Sequence, residues 1–452
     1  MTKDNNYKYN QFRKKFTSFT FEEFSISENE DGLKIVYLFN LSDVYFFSPT
    51  LTIEKGGLFA NKLSADELQN LAFQIGMVEL ISYWKAACPQ QIIIKPYSLT
   101  EEQIDWWKKL YFKGLGEFFY LNSIKTDQDS FVEMISDSSR DLVKIRQQFD
   151  DRRVLIPIGG GKDSTVTLEL LKDQFNCIPF MLNPGKASLD LVEIAGYKPE
   201  NIFTVKRTIH PGLLDLNKKG FLNGHTPFSA LLGFIAVLVA ALTGSKYIAL
   251  SNESSANEPT DAESGVNHQY SKSFEFETDL RMYVEKYISG EIEYFSFLRP
   301  LSEYSIAGIF SKYPQYFRAF RSCNAGSKSN SWCGNCPKCL FAYIILSPFI
   351  DREELVSVFG KDLYDDRNLL NFFKELAGIS EVKPFECVGT IDEVNLSLKE
   401  ALKKHSPPLP FLLNFYSTLS GEASDNNPKF EEDGHHFLNP EFYNLLKQAL
   451  SD

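Results

Sequence analysis

The sequence is poor in features that would direct a protein to nucleic acid or to a membrane. Its 47 Lys and Arg residues are outnumbered by 59 Asp and Glu residues, and the formal net charge is −12 at pH 7. Because polyanions bind through basic surface, we expect no nucleic-acid partner. The longest apolar run, residues 228–242, is short and interrupted by glycine, so it predicts a buried helix and no membrane partner. The basic N-terminus lacks an apolar segment behind it, and we expect no secretory signal and a cytoplasmic protein.

Cysteine is scarce, and its distribution is uneven. Only seven of the 452 residues are cysteine, and four of these fall in one short stretch, SCNAGSKSNSWCGNCPKC. An odd number with this clustering argues against a disulfide framework and favours a metal site in a reducing compartment. The clustered residues, with nine, two and two residues between them, are Cys323, Cys333, Cys336 and Cys339.

The spacing of these four cysteines is typical of a tetrahedral thiolate site, and we favour structural Zn²⁺. Four cysteine ligands leave no position for a metal-bound water, so we do not expect the metal to take part in catalysis. An iron–sulfur cluster also uses four cysteines with C-x2-C steps, and buried free thiols are a third interpretation.

The distribution of apolar residues predicts an α/β protein with three segments. Residues 1–150 mix strand-like and helical stretches, with helical patterns from Ala65 to Trp84 and after Ser98 or Thr100, and predict an α+β domain. Residues 151–345 alternate apolar strands with helices, which predicts a parallel sheet with helices on both faces. Residues 346–452 predict a mostly helical region. In a parallel sheet, ligands bind beyond the carboxyl ends of the strands.

A glycine loop, IPIGGGKDST, follows the first strand of the second segment and precedes a helix. Glycines allow close backbone approach to a ligand, and the helix start that follows attracts an anion. The loop is not a Walker A motif, because Asp163 separates Lys162 from Ser164. The alternative is a packing turn without a ligand. The residues predicted to bind the ligand at this edge are Gly159, Gly160, Gly161, Lys162, Asp163, Ser164 and Asn183.

A long polar segment, residues 251–277, follows the fourth predicted strand and lies at the same edge of the predicted sheet. Its candidates for proton transfer are Glu253, His268 and Lys272. Their spacing does not decide which residue carries the proton, although imidazole titrates nearest to working pH. A solvated loop is the alternative interpretation.

The glycine loop resembles the SGGKDS loop of the PP-loop ATP pyrophosphatases, with Gly159 in the place of the usual serine. The resemblance implies that the predicted ligand-binding residues hold a nucleotide through its pyrophosphate. Because an acid beside a polyphosphate is repulsive unless a cation lies between them, it also implies that Asp163 binds Mg²⁺. Further strings resemble the UDP-N-acetylmuramoyl-L-alanyl-L-glutamate epimerase family, called MurL. In chain order these are YWKAACP, YFKGLGEFFYLN, PIGGGKDS, LNGHTP, SNESSA, NHQYSKSFEFE, LRPLSE, WCGNCPKC and KPFECVG.

The resemblance implies an isomerase that inverts the terminal L-glutamate of a UDP-muramoyl dipeptide in peptidoglycan precursor synthesis. It implies ATP, Mg²⁺ and an acyl-adenylate, with AMP and pyrophosphate as products. Two other functions remain open: a different adenylating PP-loop enzyme, acting on a nucleobase or tRNA, and a non-catalytic nucleotide-binding zinc protein. The net charge of −12 disfavours work on tRNA.

Overall fold

A computed structural model describes residues 4–29, 32–54, 58–257, 267, 270–380, 384, 386, 388–419 and 435–451. The strands are β1 Ser18–Asn29, β2 Gly32–Leu41, β3 Tyr45–Phe47, β4 Thr50–Glu54, β5 Gln91–Ile94, β6 Glu133–Ser136, β7 Asp150–Pro157, β8 Asn176–Leu182, β9 Phe203–Thr208, β10 Ser245–Leu250 and β11 Glu293–Ser296.

The helices alternate with these strands and then follow them. They are α1 Asn6–Lys15, α2 Ala65–Trp84, α3 Glu101–Gly114, α4 Gly116–Leu121, α5 Lys162–Leu171, α6 Lys186–Ile194, α7 Pro211–Lys218, α8 Phe228–Thr243, α9 Phe274–Tyr287, α10 Glu303–Phe310, α11 Pro337–Leu346, α12 Arg352–Phe359, α13 Leu370–Leu376, α14 Ile391–Lys404, α15 Phe411–Leu419 and α16 Pro440–Ser451.

The chain forms two compact units, each assembled from separate segments. The first unit comprises Met1–Leu155, Glu200–Ile248 and Tyr270–Tyr294. The second unit comprises Ile156–Pro199, Ala249–Gln269 and Phe295–Asp452. The division into residues 1–150, 151–345 and 346–452 stays a prediction.

The first unit contains a mixed sheet in which β6, β5, β1, β2, β4 and β9 follow one another, with β3 beside β2. β1 runs parallel to β5 and antiparallel to β2, with Phe21 opposite both Ile94 and Phe39. Helix α2 packs on β1 and β2 and is buried along most of its length. Its bounds agree with the sequence pattern, because Ser64 and Glu67 form a capping box at its start. Thr100 caps α3 in the same way.

The strand that precedes the glycine loop and the strand beside it follow the predicted α/β pattern. In the first unit, β7 and β10 pair in parallel, with Val154 opposite Tyr247. Helix α8 is buried over nearly its whole length and ends at Gly244, whose φ of 68° is left-handed. This confirms the buried helix expected for the longest apolar run. No helix in the described ranges has the length and apolarity needed to cross a membrane.

The second unit contains the glycine loop and the helical C-terminal part. Directly after β7, the amide of Ile158 donates to the carbonyl of Phe180 in β8, at 2.8 Å. Helix α5 follows the loop, and helix α10 packs on it. Beyond β11, the described residues form α-helices, short 3-10 helices and turns, without a strand. The predicted fold class, α/β with a helical C-terminal region, is therefore confirmed.

Candidate active site

The glycine loop connects β7 to α5 through a backbone that demands glycine at its centre. Gly160 has a φ of +92°, and a Cβ there would lie 3.1 Å from the backbone nitrogen of Ser188. A side chain would therefore be strained by conformation and by contact. A Cβ on Gly159 would meet no atom within 4 Å. Packing therefore does not require a glycine at residue 159, and the space beside this residue is open.

The start of α5 is arranged for an anion. Its N-cap is Gly161, which offers no side-chain acceptor to the first amides of the helix. The hydroxyls of Ser164 and Thr165 donate back to the carbonyl of Gly161, at 3.2 and 3.0 Å. The first-turn amides and the positive end of the helix dipole are therefore suited to bind a phosphate. Ser164 was predicted to bind the ligand, and in this structure its hydroxyl donates to the loop backbone.

Lys162 is buried between two acids at the foot of the loop. Its ammonium group forms ion pairs with Asp163 and with Glu303, the first residue of α10. Burial lowers the pKa of Lys162, but the two carboxylates outweigh burial and raise it overall. Lys162 is therefore a fixed cation beside the helix start.

Glu303 was not among the predicted site residues. Its side chain is 7% exposed, while that of Asp163 is 31% exposed. Burial raises the pKa of Glu303 well above its ordinary value; Lys162 lowers it, and Asp163, Glu253 and Glu393 raise it further. The string LRPLSE contains Glu303, but in the sequence it indicated only the family resemblance and no site role for this residue.

The neighbourhood of Lys162 is rich in carboxyl groups. Four of them interact around its ammonium group, and the guanidinium of Arg299 lies against the backbone of Glu253. A polyphosphate beside ionised carboxylates would be repelled unless a cation accompanied it. In the described part of the chain, no group of three or more carboxylates is arranged to hold a metal ion alone. The partly exposed Asp163 is the carboxylate that could bind such a cation.

Glu253 lies in the segment that follows β10 and is held tightly there. Its side chain is buried and accepts a hydrogen bond from the hydroxyl of Ser255, at 3.2 Å. Its carbonyl accepts from the guanidinium of Arg299, at 2.8 Å, and Arg299 also donates to the hydroxyl of Ser296. Arg299 is 1% exposed, so this segment is anchored by a buried charge. The carboxylate of Glu253 is therefore held in a fixed position, close enough to Glu303 to affect its pKa.

The remaining predicted residues are distributed over the two units. Asn183, at the end of β8, has a φ of +49°, a conformation that asparagine tolerates. Lys272 belongs to the first unit, where it ends the short 3-10 helix Tyr270–Lys272. His268 lies outside the residues that the structure describes. The second unit therefore groups Lys162 and Asp163 with Glu253, and adds Glu303.

The four clustered cysteines converge in the second unit. The Sγ atoms of Cys323 and Cys336 are 3.7 Å apart, those of Cys333 and Cys339 are 3.6 Å apart, and those of Cys336 and Cys339 are 3.5 Å apart. All four sulfur atoms lie within 4.8 Å of one another. A tetrahedron with Zn–S bonds of about 2.3 Å has sulfur atoms about 3.8 Å apart. The group therefore fits one tetrahedral ion.

The loops around the cysteines are shaped for ligand sulfur atoms. The amide of Gly326 donates to Sγ of Cys323 at 3.3 Å, and that of Asn335 donates to Sγ of Cys333 at 3.4 Å. A Cβ on Gly326 would lie 1.8 Å from the carbonyl oxygen of Ser331, so only glycine fits. Such amide donors stabilise thiolates bound to a metal.

Comparison with known proteins gives consistent results along the chain. Residues 10–297 match the family model of the MurL N-terminal domain, and residues 318–416 match that of the MurL C-terminal domain. No solved structure matches significantly.

Three curated relatives carry the name UDP-N-acetyl-alpha-D-muramoyl-L-alanyl-L-glutamate epimerase. The relative from Micromonospora sp. is 35% identical over 381 residues, which cover 81% of this chain and 83% of the relative. The relative from Salinispora tropica is 38% identical over 70% of each chain. The relative from Xanthomonas oryzae pv. oryzae is 32% identical over 72% of this chain and 73% of its own. The chain therefore belongs to the MurL family.

Proposed function

We propose that the protein is an isomerase that epimerises the terminal L-glutamate of UDP-N-acetylmuramoyl-L-alanyl-L-glutamate to D-glutamate, at the expense of ATP. The observation that carries this proposal is the glycine loop with buried Lys162 at the start of α5, in a chain whose relatives are named for this epimerisation. The substrate is a small molecule of peptidoglycan precursor synthesis.

The chemistry of the substrate explains why ATP would be needed. The glutamate nitrogen is tied up as an amide, so a Schiff base cannot form there. A free carboxylate beside the α-carbon opposes the negative charge that develops when the α-proton leaves. Transfer of AMP from ATP to a carboxylate oxygen releases pyrophosphate, removes that charge and leaves an electron-withdrawing carbonyl. A base then takes the α-proton, an acid returns one on the other face, and water releases AMP.

The loop residues have distinct roles in this scheme. The amides of residues 159–161 and the start of α5 would hold the β- and γ-phosphates, with Lys162 as the charged donor. Asp163, which is partly exposed, would bind Mg²⁺ directly or through water. Asn183, at the carboxyl end of β8, would contribute to nucleotide binding.

The proton-transfer residues are assigned from burial and placement. Glu253 is the best-supported candidate, because its carboxylate is buried and its segment is anchored by Arg299. His268 and Lys272 stay candidates from the sequence. A carboxylate held in a fixed place beside the α-carbon could accept its proton.

We propose structural Zn²⁺ for the four-cysteine group. Zinc supplies folding energy and fixes the ligand loops, and four protein ligands leave no open position. Sulfur separations of 3.5–3.7 Å favour a single ion over an iron–sulfur cluster, since a cluster binds its cysteines through separate iron atoms.

The test is to incubate the UDP-muramoyl dipeptide with ATP in heavy water. Deuterium should enter the glutamate α-position and the D-isomer should accumulate, with AMP and pyrophosphate formed. Deuterium uptake at full rate without ATP would exclude activation through the adenylate. ATP cleavage without uptake would point to the other adenylating PP-loop enzymes, and ATP binding without cleavage would point to a non-catalytic protein.

A further inference from the structure

We propose that Glu393 is a positioning residue for Lys162 and that it acts through Glu303. The proposal rests on the nucleotide-binding role proposed for the glycine loop and extends that site to helix α14, 90 residues beyond Glu303. All three residues belong to the second unit.

The carboxylate of Glu393 caps two helices at once. Its Oε1 accepts from the amide of Glu303, at 2.6 Å, and Glu303 is the first residue of α10. Its Oε2 accepts from the amide of Thr390, at 2.6 Å, within the capping box of α14. Amides at a helix start have no partner within the helix, so both need an external acceptor. One side chain therefore fixes the starts of α10 and α14 relative to each other.

The position of this carboxylate leaves little freedom. Glu393 is 2% exposed. A Cβ on Gly389 would lie 2.6 Å from Oε2 of Glu393 and 3.1 Å from the ring of Phe341. The chain must therefore lack a side chain at residue 389 for the carboxylate to occupy its place. A rotation of Glu393 away from Glu303 would leave a buried amide unsatisfied, which is costly.

The bond to the amide of Glu303 fixes the backbone from which the Glu303 side chain extends. Glu303 is paired with Lys162 in a buried environment. If the amide of Glu303 were released, α10 would still be capped by the hydroxyl of Ser302, which accepts from the amide of Ser305. The backbone at Glu303 would lose its fixed contact, however, and the Glu303 carboxylate would shift away from the ammonium group. Lys162 would then lose one of its two carboxylate partners and turn towards Asp163, away from the placement in which we expect it to contact phosphate.

The capping of two amides accounts for a carboxylate at residue 393, although this carboxylate lies close to other acids. Burial raises the pKa of Glu393, the amides of Thr390 and Glu303 lower it, and the charge of Glu253 raises it further. A neutral acceptor would cap a helix without adding a buried charge beside Glu303. An acceptor that takes both amides at full strength needs two equivalent oxygens, which a carboxylate has and an amide lacks.

The experiment compares Glu393→Gln with a matched control, Glu67→Gln. Glu67 is also a buried capping-box glutamate, at the start of α2 in the first unit. Both variants lose a comparable capping interaction, so their melting temperatures should fall by similar amounts. The first measurement is the reaction of Lys162 with acetic anhydride, followed by peptide mass spectrometry. The second is the apparent KM for ATP in pyrophosphate release.

We expect Glu393→Gln to increase labelling of Lys162 several-fold and to raise the KM for ATP by about tenfold, with a smaller change in kcat. Glu67→Gln should change neither quantity. The double variant Glu393→Gln with Glu303→Gln should show the same labelling of Lys162 and the same KM for ATP as Glu303→Gln alone, because both substitutions act through one contact. Equal labelling of Lys162 in wild type, Glu393→Gln and Glu67→Gln would overturn the proposal. Labelling does not require ATP. If wild type fails to cleave ATP while Glu393→Gln still increases the labelling of Lys162, the proposed function is refuted and the positioning role is supported.

Discussion

Lys162 and Glu303 are separated by 141 residues in the sequence, and their charged groups form an ion pair that is more than nine-tenths buried. The pair links the glycine loop to the start of α10. Removing one partner of a buried pair leaves the other charge uncompensated, so both residues are sensitive positions.

Replacement of Lys162 by alanine should impair pyrophosphate release. The variant loses a charged contact, and we expect a loss of about 1.5–3 kcal/mol in phosphate or transition-state binding. Steady-state kinetics with ATP and the dipeptide measures this. Lys172→Ala is the matched control, since Lys172 caps the same helix and pairs with Glu169. Unchanged ATP cleavage in Lys162→Ala would show that the loop assignment is wrong.

Two neighbouring glycines should respond differently to alanine. Gly160→Ala forces a left-handed conformation and a close contact with Ser188, so we expect a loss of about 1–3 kcal/mol in unfolding free energy. Gly159→Ala meets no atom within 4 Å and should leave stability nearly unchanged, while a Cβ above the loop should weaken ATP binding. Chemical denaturation and nucleotide titration separate the two effects. A stable Gly160→Ala variant would contradict the geometry.

Metal analysis should give one zinc per chain. Loss of the ion by chelation, or Cys339→Ser, should unfold the cysteine region before it affects chemistry, because structural zinc contributes folding energy directly. Cys177→Ser, at a buried cysteine outside the group, is the control for the substitution itself. Iron with visible absorbance would replace zinc as the assigned metal.

Lys85 should make the free energy of unfolding vary with pH in the alkaline range. Burial, reinforced by Arg207, lowers the pKa of Lys85 to about 8 from 10.5. Between these values the unfolded chain binds more protons, so the contribution of Lys85 to stability rises with pH from about 8 to about 10.5. Lys85→Met removes this dependence, and its stability relative to wild type should fall by on the order of 2–3 kcal/mol across the window. Denaturation at pH 7 and pH 10 tests this, and a constant difference would contradict it.

The sequence by itself determined the local features of this protein. The helical pattern from Ala65 to Trp84 predicts α2, and the apolar run of residues 228–242 predicts α8, because a helical period and a buried face depend on neighbouring residues. The glycine loop and the cysteine group were also recognisable, since a tight loop and a C-x2-C step have short, fixed spacings.

Only the tertiary structure decided which distant groups meet the loop. Glu303 reaches Lys162 across 141 residues, and Glu393 reaches Glu303 across a further 90. In the sequence each is an ordinary acid near the start of a helix, where acids are common because of the helix dipole. Nothing in their local spacing distinguishes a solvated first-turn acid from one that is buried against a lysine. That distinction arises from the packing of α10 on α5 and on α14, which no local pattern encodes.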